Sequence, residues 1–275
     1  MPVSQRHSRR VPHAIPRPVL EAPTTVPVLG IPLAVTDYER TMDWLDGAVA
    51  LRERVYLSAA AVHLVMVSQE RREVHDAVMG ALVVPDGQPL VWALRALGHE
   101  ATRVYGPTLM ERYCERTADT GVRHFLYGGR NQGALVQLVT NLRHQNPGLR
   151  IVGGFSPPFR PPTSEDDDAI VAEINRSGAD VVWVGIGQPK QEEWMARLRG
   201  RLDAPVLIGV GAAFDFHAGL VRQAHPWMQR AGLEWVFRLS QEPRRLWKRY
   251  ARYNPRFLAG FAKQYGKHRL RGRAR

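Results

Sequence analysis

Three stretches of the chain carry residues whose types and spacing suit chemistry. In residues 181–194, VVWVGIGQPKQEEW, an apolar run ends in Gly185 and Gly187, and Lys190, Gln191, Glu192 and Glu193 follow at once. A glycine turn between a strand and a helix presents unpaired backbone N–H groups at the positive helix end, where a phosphate can sit. The third glycine of a dinucleotide fingerprint is missing, since Lys190 stands there, and a plain tight turn explains the spacing equally well. Pro85-Asp86-Gly87 closes a second apolar run. An aspartate held there can serve as a general base with its pKa raised by partial burial, although Asp and Gly also favour ordinary turns. Asp215 stands between Phe214 and Phe216 after Gly209-Val210-Gly211. A carboxylate so placed can bind sugar or ribose hydroxyls, or can cap the next segment.

Other clusters have simpler readings. Glu165-Asp166-Asp167-Asp168 follows Pro162-Thr163-Ser164, which predicts the acidic first turn of a capped helix rather than a metal site. The ten histidines show no spacing suited to zinc. His63 reads as a core residue on an apolar helix, and Cys114 as structural.

Alternating strands and helices have to position these residues. A short hairpin or strand is expected over residues 28–35 around Gly30, then a helix capped by Thr36 or Asp37 and running to Leu51. Residues 54–58 predict a strand and 59–70 a helix. The apolar run 81–84 is followed by helices over 89–97 and 108–121. Residues 124–127 lead into Gly128-Gly129 and a helix to Arg143, and 150–152, 181–184 and 205–210 complete the strands. This alternation predicts an α/β fold: a Rossmann-like parallel sheet with helices on both faces. Ligands in such sheets sit beyond the C-terminal strand ends, where Asp86, Gly128, Gly129, Gly187, Gln191 and Asp215 all fall.

Composition narrows the class further. With 275 residues, of which 44% are hydrophobic, the chain can bury a full core. A lone cysteine excludes a disulfide framework and suits a reducing cytosol. No apolar run reaches the ~18 residues of a membrane-spanning helix. Residues 1–27, rich in Pro and Arg without an apolar segment, predict a disordered tail rather than a signal peptide.

The net charge of +12 is uneven: residues 222–275 hold fifteen Lys and Arg against two acids, Glu234 and Glu242. Anionic lipid, nucleic acid and pyrophosphate are the partners such a segment suits. Its aromatics, Trp247, Tyr250, Tyr253, Phe257, Phe261 and Tyr265, recur at helical spacing. They predict a basic amphipathic helical C-terminal appendage with an apolar face to bury, suited to a membrane interface.

Six blocks in order, VVPDGQPLVWA, RVYGPTLM, FLYGG, VVWVGIGQPKQEEWM, GVGAAFDFHAG and GLEWVFRLSQEPRRLWKRY, resemble the WecG/TagA/CpsF glycosyltransferases (glycosyltransferase family twenty-six) over roughly residues 28–257. The resemblance implies inverting, metal-independent transfer of an N-acetylhexosamine-type sugar from a UDP donor to a polyprenyl-diphosphate-linked sugar. The setting it implies is the cytoplasmic face of the cell membrane, in teichoic-acid, common-antigen or capsule synthesis. It also implies a catalytic base at Asp86, a reacting-centre hydroxyl at Ser58, donor-pocket contacts at Gln191 and Asp215, and diphosphate contacts at Arg238 and Arg245, with Arg103 contributing. Two positions depart from the family pattern: Ser58-Ala59-Ala60 replaces Thr-x-Asn, and Thr108 replaces an aspartate.

The chain is thereby expected to divide into a tail (1–27), a catalytic domain (28–221) and a membrane-associating appendage (222–275). Expected partners are a UDP-sugar co-substrate, the lipid-linked acceptor and an anionic membrane surface, with no other cofactor and no nucleic acid. Homo-oligomerisation stays open. A dehydrogenase would need the fuller glycine fingerprint. A nucleic-acid-binding protein explains the basic segment but not the core motifs, and a non-enzymatic nucleotide-sugar-binding protein or polysaccharide scaffold keeps the fold without needing Asp86 in the pocket.

Overall fold

The computed structural model describes residues 20–273. Along the chain run β1 (Thr25–Val28), β2 (Ile31–Ala34), α1 (Tyr38–Leu51), β3 (Val55–Ala60), α2 (Val62–Ser68), α3 (Arg72–Met79), β4 (Leu82–Pro85), α4 (Gln88–Ala96), α5 (Gly106–Thr117), β5 (Arg123–Gly128) and α6 (Gln132–Gln145). Then follow β6 (Arg150–Phe155), α7 (Ser164–Ser177), β7 (Val181–Gly185), α8 (Lys190–Leu198), β8 (Val206–Gly209), α9 (Ala213–His217), α10 (Pro226–Arg230), α11 (Glu234–Gln241) and α12 (Pro243–Arg273).

The strands form one sheet in the order β1-β2-β4-β3-β8-β7-β5-β6. Among the described residues only β1 and β2 pair antiparallel, with Val28 opposite Ile31; the remaining neighbours are parallel. This is the expected α/β architecture. Strands covered on both faces must be apolar throughout, and β4 (LVVP) and β8 (VLIG) are buried at every position. Period-two alternation splits each strand between two cores. Trp183, Leu126 and Ile208 face the cluster under α1, α5 and α6, whereas Val182, Phe125 and Leu207 face the one under α7 and α8.

Several local expectations hold. Asp37 caps α1 by accepting the Arg40 N–H at 2.9 Å. Thr163 and Asp166 close a capping box on α7, so the acidic run is indeed a helix start. The expected helix over 59–70 is corrected: β3 continues through Ala60, and α2 and α3 follow as separate helices. Small residues favour helix locally, but Ser58 to Ala60 pair with Val83 to Pro85 of β4, and sheet pairing overrides propensity. The expected tail lies outside the described residues up to 19, and its last residues belong to β1.

The C-terminal aromatic stripe has a partner within the protein. Tyr253, Phe257, Phe261 and Tyr265 of α12 pack on a cluster built from Val28, Ile31, Leu33 and residues of α2 and α4, with Phe257 only 3% exposed. Gln264 accepts the Leu29 N–H at 2.8 Å and donates to the Pro27 carbonyl at 2.7 Å. Arg252 and Arg256 both pair with Glu70. The expectation that these four aromatics dip into a membrane is therefore corrected: sheet edge and helix cover them. Large apolar side chains left exposed in this region are Leu220, Trp227, Leu233, Trp235, Val236, Trp247, Leu258 and Leu270. Among the described residues no helix is long and apolar enough to cross a membrane.

Candidate functional site

A cavity of ≈ 1360 Å³ lies beyond the C-terminal ends of the parallel strands. Each of β3 to β8 contributes the residues at or just past its end, including Ala61, Asp86, Gly129, Phe155, Gly187 and Gly211. The C-terminal helices close one side with Arg238, Arg245 and Arg249.

Asp86 follows β4 directly. Its N–H donates to the Ala60 carbonyl at 2.9 Å, which extends the strand pairing by one residue. Its Oδ1 accepts the Gly106 N–H at 2.7 Å, and Oδ2 has no protein partner among the described residues. Burial pushes the carboxyl up to about 6; the neighbouring Arg103 opposes the shift and Glu234 adds to it. A free, poorly solvated carboxylate oxygen facing a cavity is the geometry of a general base working near neutral pH.

Arg103 secures this corner from behind. Its Nε donates to the Asp86 carbonyl, and its guanidinium pairs with Glu234 of α11 at 2.5 Å. The same guanidinium lies 4.1 Å above the centre of the Tyr105 ring.

The motif around β7 splits into cavity and support. Gly187 lines the cavity at φ +83, a backbone region open chiefly to glycine. Gly128 lies behind: a Cβ there would stand 2.6 Å from the Gly185 carbonyl carbon, so glycine is what lets the ends of β5 and β7 approach. The side chain of Gln191 is fully buried and turns inward. Its Oε1 accepts the Gly211 N–H at 3.0 Å and its Nε2 donates to Glu192 Oε1 at 3.0 Å. Ser58, also fully buried in β3, donates to that same Oε1 at 2.6 Å. Glu192 Oε2 has no partner, and burial raises the pKa of this carboxyl.

Of the ten residues expected from sequence, Asp86, Gly129, Gly187, Asp215, Arg238 and Arg245 line the cavity. Ser58, Arg103, Gly128 and Gln191 stand one layer behind and hold it. Asp215 Oδ1 accepts from Arg130 Nε at 3.0 Å, so a charged pair marks the wall opposite Asp86's strand.

Sequence reasoning missed Tyr105, Glu192, Glu234 and Arg249. Glu234 carried a signal: it is one of two acids among the fifteen cations of residues 222–275. An acid retained there has a specific cation to meet. Arg249 resembled the other arginines of α12 in sequence, but burial sets it apart and lowers its pKa to about 10. Its Nε and that of Arg238 are buried without hydrogen-bond partners. His63 stands edge-on to Tyr253 at 5.2 Å; burial, with Arg249 beside it, lowers its pKa to about 3, so it is a neutral core residue.

The model of the glycosyl transferase WecG/TagA/CpsF family matches residues 26–271. The chain belongs to this family. It is therefore a glycosyltransferase of cell-surface polysaccharide synthesis, a class that uses a sugar donor and, in general, a lipid-linked acceptor. In this WecG/TagA/CpsF glycosyltransferase the match extends deep into α12, so the arginine-bearing helices are part of the family's fold. Among the described residues no three His, Cys, Asp or Glu side chains converge as metal ligands do.

Proposed function

We propose that this transferase moves an N-acetylhexosamine-type sugar from a UDP donor to a polyprenyl-diphosphate-linked sugar, with inversion and without a metal. The observation that carries the reading is Asp86: one carboxylate oxygen clamped by Gly106, the other free, in a cavity that Arg238, Arg245 and Arg249 close on one side. Asp86 Oδ2 takes the proton of an acceptor hydroxyl as that oxygen attacks the anomeric carbon. The bond from that carbon to the UDP oxygen breaks, its electron pair leaves with UDP, and a single displacement inverts the centre. Arg238, Arg245 and Arg249 meet the charge that develops on the departing diphosphate; the two unpartnered Nε groups suit that task. Gly187 and Gly129 bring backbone to the nucleotide, and the Asp215–Arg130 pair offers contacts for ribose or sugar hydroxyls.

The acceptor's lipid locates the reaction at the inner face of the cell membrane. Exposed Trp227, Trp235, Val236 and Trp247, set among arginines, suit the headgroup boundary of an anionic bilayer and keep the protein peripheral.

The test is transfer from a panel of UDP-N-acetylhexosamines to a synthetic short-chain polyprenyl-diphosphate-linked sugar, with and without EDTA. A product of inverted anomeric configuration, formed equally in EDTA, is the expected result. Retention of configuration, or strict need for a divalent ion, overturns the mechanism; absence of transfer from every donor overturns the substrate reading.

A further inference from the structure

The Tyr105 hydroxyl is a buried polar group at the reacting corner that the proposed mechanism leaves unused. Tyr105 lines the cavity and is 4% exposed. Its position is fixed from three sides. Its N–H donates to the Tyr38 hydroxyl at 3.1 Å, the Arg103 guanidinium covers its ring at 4.1 Å, and Phe216 stands 6.4 Å away. The next residue in the chain, Gly106, is the one that clamps Asp86. The ring is thus held rigidly beside the base.

Its hydroxyl nevertheless has no hydrogen-bond partner among the described residues. The Glu234 carboxylate is near enough for its attraction to the phenol O–H to raise the Tyr105 pKa, but no bond of hydrogen-bonding geometry joins the two, and its Oε2 is engaged by Arg103. A phenol removed from water and left unpaired destabilises the fold, and phenylalanine would fill the same space without that penalty. Burial, with Glu234 and Asp86 adding to it, holds the phenol pKa well above its ordinary value, so the group stays a neutral O–H donor.

We propose that the Tyr105 O–H donates to an oxygen of the acceptor sugar adjacent to the hydroxyl that Asp86 deprotonates, and so positions and selects the acceptor. This rests on the transferase reading. No proton leaves Tyr105; it holds the sugar while Asp86 takes the proton. A site built to pair with a hydroxyl strongly rejects the analogue that lacks it, so Tyr105 is a specificity determinant for the acceptor.

The experiment compares the unaltered protein with Tyr105→Phe, using the UDP-N-acetylhexosamine donors and a series of monodeoxy polyprenyl-diphosphate-linked acceptors. With Tyr105→Phe, kcat/KM for the acceptor is expected to fall ~10–100-fold, with the donor KM within about twofold and Tm without substrate unchanged or raised. One deoxy acceptor is expected to be rejected by the unaltered protein and tolerated by Tyr105→Phe relative to its parent. A series in which the unaltered protein rejects none of the deoxy acceptors overturns the inference without any substitution. Unchanged acceptor kcat/KM in Tyr105→Phe overturns it too, as does a Tm lowered by several degrees, the signature of a structural tie to Glu234. A wild-type protein that transfers no sugar to any of these acceptors overturns the proposed substrate reading, and this inference with it.

Discussion

Arg103 and Glu234 form an ion pair at 2.5 Å that joins the loop before α5 to the first turn of α11. Both side chains are largely buried, at 16% and 13% exposure. Because Arg103 also holds the Asp86 carbonyl, α11 is electrostatically coupled to the base.

The coupling sets the pH profile. Base catalysis by a carboxyl near 6 makes kcat/KM fall as pH drops through about 6. Glu234→Gln removes a negative neighbour that raises the Asp86 pKa, so the acid limb should move to lower pH. Arg103→Met removes the opposing cation and leaves Glu234 unpaired, so the limb should move to higher pH. That second variant should also lose ~3–5 kcal/mol of stability, the typical result of breaking one side of a buried pair. Rate–pH curves of the three proteins check both directions; an unmoved limb would separate Asp86 from the rate.

Asp86→Asn should lower turnover by at least ~10²-fold while leaving a fold that is more stable at neutral pH. The sign follows from the raised pKa. Above about 6 the folded protein carries a carboxylate that the unfolded chain ionises more readily, so folding is disfavoured there. Below the ordinary 3.8 both states are protonated and the penalty vanishes. A shift of this size corresponds to ~2–3 kcal/mol. Thermal unfolding should show Asp86→Asn above wild type at pH 8, with the gap closing towards pH 4.

Ser58→Ala tests a different assignment. Ser58 reaches Glu192, not the cavity, so its loss should appear in stability, by ~1–3 kcal/mol for a buried carboxyl deprived of a donor. Donor and acceptor KM values should stay within about threefold. A large KM change at normal Tm would return Ser58 to the substrate.

Much of this architecture was legible because buried parallel strands must be continuous apolar runs. The strand ends, and with them Asp86, Gly187 and Asp215, were readable from where those runs stop. What a side chain does at a strand end was not. Gln191 and Lys190 are adjacent polar residues in the same helical turn, yet one is sealed inside and the other lines the cavity. Ala59 and Ala60 had no local mark of a strand; only pairing with β4 makes them one. The aromatic stripe of α12 was correctly spaced for an apolar partner, but periodicity does not say whether that partner is lipid or the β1–β2 hairpin.

Arg238→Ala and Arg249→Ala should each weaken UDP binding ~10-fold or more, since charge-assisted contacts to phosphate are the strong ones. Neither has a partner for its Nε, so the ligand-free protein should lose little stability. Calorimetric titration with UDP, with Tm measured alongside, separates the two effects; unchanged UDP affinity in both variants would remove the arginines from the donor site.

The two apolar surfaces of the C-terminal region should respond oppositely. Phe257→Ala should cost ~3–5 kcal/mol, as expected for a buried aromatic cut to alanine. Ser replacing Trp227, Trp235 and Trp247 together should leave Tm within a few degrees but reduce sedimentation with anionic vesicles. If the triple variant sediments as the parent does, those tryptophans do not face lipid.

Gln264 ties α12 to Leu29 across 235 residues and to Pro27 across 237. A ribosome adding 5–20 residues per second needs roughly 10–50 s to travel that distance. Throughout that interval the nascent β1–β2 hairpin lacks its last cover, and the site lacks its arginine wall. The cavity is thereby completed only once α12 has been made, and a chain released before then carries a bare apolar edge.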